Sequence, residues 1–80
     1  MSKRPIDLLV GDIIESIDRI PQYIGGLSFD AFSNDRKSID AVVRNLEIIG
    51  EAANRLPEEF KEKHPEVEWH KVVGLRNRIV

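Results

Sequence analysis

Apolar residues recur every three or four positions through two long stretches of this chain, and that period decides most of what it can become. In the first stretch Ile6, Leu9, Val10, Ile13, Ile17, Ile20 and Ile24 mark one stripe. Asp7, Asp12, Glu15, Asp18 and Arg19 fill the gaps. A helix turns once per 3.6 residues, so this spacing stacks the apolar side chains on one face. In the second, Val42, Leu46, Ile49, Ala53 and Leu56 line one face of residues 34–56, helped by Ile39 and Val43. Its opposite face reads Arg36, Asp40, Arg44, Glu47, Glu51, Arg55, at steps that let opposite charges meet. No strand signal of comparable strength appears. A one-striped helix must bury its stripe against another element. The expected class is therefore all-α, an antiparallel helical bundle with short connections.

Proline and glycine punctuate this pattern. Pro5 suits a first helical turn, where its missing N–H would have had no partner. Pro21 lacks a donor and crowds the turn before it, so a kink or stop is expected near Ile20. Gly25-Gly26 makes a break. Ser28 is placed to cap a short turn, and Phe29 and Phe32 are expected to plug one end of the core; a partner-binding aromatic pair is the alternative. Gly50 costs about 1 kcal/mol inside a helix, which suggests a close neighbouring backbone. Pro57 opens a short helix anchored by Phe60, Pro65 ends it, and a last helix begins near Trp69.

Eighty residues make one small domain at most, read here as spanning 1–80. A chain of this size buries only about 60% of its unfolded surface. There is no cysteine, which suits a reducing cytosol and removes disulfides and thiolate metal sites. No apolar run approaches the roughly 20 residues of a membrane span. A net charge of -2 does not announce a nucleic-acid binder. The distribution is uneven, however. Residues 58–68 carry five Glu against two Lys, and residues 69–80 carry Lys71, Arg76 and Arg78 with no acid.

Few residue patterns promise chemistry. His64 and His70 are six apart with Pro65 between them, unlike the i, i+4 pairing of a helical zinc site, so no metal is expected. The serines lack nucleophile context, and Gly25-Gly26 is too short to cradle a phosphate. Glu47 and Glu51 form a carboxylate pair in principle; beside Arg44 and Arg55 they also read as an ion-pair stripe. Arg76-Asn77 is the most suggestive element. Arg offers a planar fork of donors that suits a phosphate, and Asn adds both donor and acceptor. On spacing alone the pair reads first as a solvated or bundle-packing pair, and only second as a phosphate-binding one.

The stretches "DAVVRNLEIIGEAANRLP" (40–57) and "HPEVEWHKVVGLRNRIV" (64–80) closely resemble the DUF86 group. These are HepT-like proteins of the HEPN superfamily, the toxin halves of bacterial and archaeal toxin–antitoxin pairs. "IDLLVGDIIESIDRIPQYI" and "FSNDRKSIDAV" match in layout, so the resemblance runs over essentially the whole chain. The family motif is Arg, four to six residues, then His, with Tyr two residues after the His. Arg76 matches the Arg and Asn77 the polar residue that follows it. The resemblance implies a HEPN-like helical homodimer acting as a metal-independent cytoplasmic endoribonuclease without a cofactor. It implies RNA as substrate and a minimal nucleotidyltransferase as antitoxin, which in some pairs adds AMP to the motif tyrosine. Glu51, in the family-like "GEA", either orients Arg76 from the facing helix or pairs with Arg55 on its own.

The motif His would fall just after Val80 and the Tyr two beyond it. The expectation is a domain incomplete at its C-terminus, cut before its histidine and inactive as it stands. The alternatives are a non-catalytic dimerisation and antitoxin-binding module, or a decayed copy. The shortening also predicts association, because apolar surface on the first two long helices would be left uncovered.

Overall fold

The structure, a computed structural model, describes residues 5–75. Among these there are five helices and no strand: α1 (Ile6–Ile24), α2 (Phe29–Ser33), α3 (Arg36–Arg55), α4 (Glu58–Glu62) and α5 (Trp69–Val73). The all-α class read from the 3.6 period is what the chain adopts. The two long helices are the frame, and the short ones close against it.

Leu9, near the start of α1, packs with Ala52 and Leu56 at the end of α3. The two helices therefore run antiparallel. Val10 and Ile13 of α1, Phe60 of α4 and Trp69 of α5 pack around this centre. Ile49 and Ala53 are also buried. The core thus sits where the first half of α1 meets the second half of α3. Along the rest of α1 the apolar stripe emerges, with Ile17 at 53% exposure and Ile24 also exposed.

Local chemistry explains the boundaries. Pro5 stands one position before the first helical turn, where its carbonyl accepts from the Leu8 and Leu9 N–H groups at 3.1 Å each. α1 does not stop near Ile20; it continues through Pro21 to Ile24. Pro21 lies in the last turn, where the single donor it lacks costs the helix little of its length. The Gly25 N–H closes onto the Pro21 carbonyl at 2.8 Å, and Gly25 takes φ 53°, a left-handed conformation that glycine tolerates. Ser28 caps α2 as expected, its Oγ accepting from the Ala31 N–H at 3.1 Å.

The aromatic plug is only half present. Phe32 is half-buried, but Phe29 is 82% exposed and covers nothing. A five-residue helix turns too little surface inward to bury two aromatic rings. Asp35 caps α3: Oδ1 accepts from the Ser38 N–H at 3.3 Å and Oδ2 from the Ser38 hydroxyl at 2.9 Å. Gly50 is buried, as its place on the inner face of α3 requires.

The α4–α5 connection is a small aromatic knot. The Trp69 indole N–H donates to the His64 carbonyl at 3.1 Å. Phe60 meets Trp69 edge-on, with ring centroids 6.2 Å apart, and His64 at 4.7 Å. His64 is thus half-buried and built into the turn, whereas His70 is exposed.

Candidate functional site

Arg76 and Asn77, the expected site residues, lie outside the described residues. The third, Glu51, sits on the face of α3 that looks toward α1. Arg44, Glu47, Ile48, Glu51, Ala52 and Arg55 follow one another at helical spacing and form one wall of a groove of about 460 Å³. Leu9 and Asp12 of α1 form the other wall. The floor is apolar, from Leu9, Ile48 and Ala52, and the walls are charged.

Within this groove Glu51 accepts from the Arg55 Nε–H at 3.1 Å, one helical turn away. Both side chains are substantially exposed, so the pair stabilises the helix by only about 0.3–0.5 kcal/mol. Pairing with Arg55 was one of the two roles open to Glu51. A carboxylate has about four acceptor positions, so this bond does not exhaust it.

Asp12 was read in the sequence only as a polar gap in an apolar stripe. It lies three residues after buried Leu9, at the edge of the buried face, and that spacing is the signal that marks it. Ser16 and Asn45 were missed as well. They are 2% and 3% exposed, seven residues from Leu9 and from Ala52 on the two packed helices, hence at the same level of the bundle.

A second, separate groove of about 430 Å³ lies among α1, α3 and α5 and is almost wholly apolar. Val10, Ile13, Ile49, Trp69 and Leu75 are among its walls, with His64 as its polar member. Among the described residues no three His, Asp or Glu side chains come together to hold a metal. None of their helices is long and apolar enough to cross a membrane.

A small antiparallel all-α bundle with a charged groove between its two long helices is the class of protein these features define. The chain belongs to the HepT-like family, described as "Ribonuclease HepT-like", whose pattern matches residues 13–80. It is similar to "Putative RNase MJ0127" of Methanocaldococcus jannaschii, 38% identical over 80 residues, all of this chain and 66% of the relative. "Putative RNase MJ1380" of the same organism is 39% identical over 80 residues, all of this chain and 73% of that relative. "Probable ribonuclease HepT" of Thermococcus cleftensis is 39% identical over 69 residues, 86% of this chain and 63% of the relative. The chain thus spans roughly two thirds of the length of these relatives. No solved structure matches it.

Proposed function

We propose that the whole protein is a metal-independent endoribonuclease, the toxin half of a type VII toxin–antitoxin pair. Membership of the HepT-like ribonuclease family over residues 13–80 is the observation that carries this reading. In the proposed reaction an RNA 2′-hydroxyl attacks the adjacent phosphate. Arg76 stabilises the negative charge that gathers there, Asn77 adds polar contacts, and the family's histidine moves the proton. Glu51 orients Arg76 from the facing helix; its place in the groove supports that role. Two copies pair so that their arginines share one cleft, which would concentrate positive charge despite the net charge of -2. The antitoxin is a minimal nucleotidyltransferase, and the compartment is the cytoplasm.

The test is cleavage of RNA in the presence of a chelator, by the protein carrying its motif histidine. Arg76→Ala should lower the rate by about 10²–10³-fold. Cleavage that survives the substitution, or that a chelator abolishes and a divalent ion restores, would overturn the reading. Substitution of the motif histidine should likewise lower cleavage by about 10²–10⁴-fold.

A second reading, a non-catalytic dimerisation and antitoxin-binding module, is favoured by the exposed apolar side chains of Ile14, Ile17 and Phe29. It predicts association with a partner but no Arg76-dependent cleavage by any form of the protein.

A further inference from the structure

A third groove, of about 450 Å³, lies between α4 and α5 and is lined by Glu58, Lys61, Glu62, Trp69, His70 and Val73. That volume falls within the roughly 300–1,000 Å³ of pockets that take small ligands. Glu58, Lys61 and Glu62 are three and four residues apart, so α4 presents them on one face. The Lys61 side chain is only 11% exposed, yet its ammonium meets a single carboxylate, Glu58, at 3.8 Å. That separation is too long for a hydrogen bond, so among the described residues its three donors are unspent. Trp69 is a fixed platform: its indole N–H is spent on the His64 carbonyl, and Phe60 packs against it in a T-shaped pair.

Two carboxylates against one ammonium repel a bare phosphate. They suit a neutral, flat ligand that carries N–H donors beside an acceptor. Nucleobases are such ligands, and they stack on aromatic rings. Among the RNA bases, guanine alone sets two donors side by side with a carbonyl next to them: N1–H, the N2 amino group and O6. Adenine and cytosine each place a ring-nitrogen acceptor beside their amino group, and uracil flanks its N–H with two carbonyls. Those lone pairs would face a carboxylate and be repelled.

We propose that the α4–α5 groove takes a guanine base. The Glu62 carboxylate accepts from N1–H and the N2 amino group, the Lys61 ammonium donates to O6, and the base stacks on Trp69. A carboxylate accepting two parallel N–H bonds is a strong and directional contact. Glu62 is the carboxylate for this role because Glu58 is the one that already approaches Lys61. That the guanine belongs to an RNA strand rests on the ribonuclease reading above; the base site itself does not.

The experiment follows the fluorescence of Trp69, the only tryptophan of the chain, as guanosine, adenosine, cytidine or uridine monophosphate is added. Guanosine monophosphate should bind about tenfold more tightly than the other three. Inosine monophosphate, which lacks the N2 amino group, should bind about tenfold more weakly than guanosine monophosphate. Glu62→Gln, and Lys61→Met, which keeps most of the apolar stem, should each weaken guanosine monophosphate binding by about tenfold. Glu59→Gln, on an exposed position of α4 outside the groove, is the control for bulk charge and should leave it unchanged. Equal binding of the four nucleotides, or binding unaltered in Glu62→Gln, would overturn the inference. An oligouridylate with one central guanosine should bind at least as tightly as free guanosine monophosphate; a clear preference for the free nucleotide would overturn the assignment to RNA. In the protein with its motif histidine, cleavage indifferent to neighbouring guanines would remove the groove from the reaction and leave the ribonuclease reading standing. Guanine-selective binding without any cleavage would do the reverse.

Discussion

Asn45 shows how one residue can work against the rest of its surroundings. It is 3% exposed on the inner face of α3. Its amide donates to the Ala41 carbonyl at 2.8 Å, but its Oδ1 is buried with no partner among the described residues. A buried acceptor left unpaired costs about 1–3 kcal/mol, more than the back-bond to Ala41 returns. Asn45→Leu, which removes donor and acceptor together at similar volume, is expected to raise stability by about 1 kcal/mol. Urea unfolding followed by circular dichroism would measure it. A loss of similar size would mean that Oδ1 is satisfied in solution. The residue was legible as polar at a helical position, but its burial was not. Val42 and Leu46 look like the better inner residues by hydropathy, yet both are only half-buried. The packing around α3 buries Asn45 instead.

At the scale of elements, caps and turns were the most readable parts. Ser28 caps its helix where the sequence placed it, and α5 starts at Trp69. These depend on residues three or four apart, so no tertiary information is needed. Asp35 caps α3 by the same local geometry, although the sequence reading did not single it out, and it adds a pH dependence. The Ser38 hydroxyl, and then the Ser38 N–H, hold its carboxyl below the usual carboxylate range. A group with a depressed folded pKa stabilises above its unfolded value and loses that effect as pH falls through the folded value. Asn caps a helix nearly as well as Asp but carries no charge. Asp35→Asn should therefore melt below the parent near neutral pH, and the gap should close as pH falls below about 4. A gap of the same size in acid would remove the ionised carboxylate as its cause. The expected stop near Ile20 is absent for a reason also found at this scale: a proline in the last turn of a helix interrupts little of it.

At the scale of the molecule, what matters is how much apolar surface α1 and α2 leave outside. The described chain has a radius of gyration of 14.1 Å, against about 12 Å for a compact chain of this length. Ile14, Ile17, Tyr23, Ile24, Leu27 and Phe29 are exposed, as are Ile6 and Leu8 near the start of α1. Self-association would cover such a surface, in keeping with the proposed homodimer. Light scattering at micromolar concentration should give at least twice the chain mass of 9.2 kDa. A monomeric mass would count against pairing through this surface.

Periodicity and punctuation were sufficient for the all-α class, for two long helices with short partners, and for the Ser28 cap, because those follow from rotation per residue and from groups a turn apart. The residues "LEIIGEAA" and "GLRN" were sufficient for the family. Only the packing of α1 on α3 decided that Leu9, Ala52 and Leu56 are the centre, that Phe29 is left outside, and that Asp12 and Glu51 face one groove. Which edge of an apolar stripe turns inward depends on the register and crossing of two helices. That is a contest among many side chains far apart in the chain, and no local spacing records its outcome.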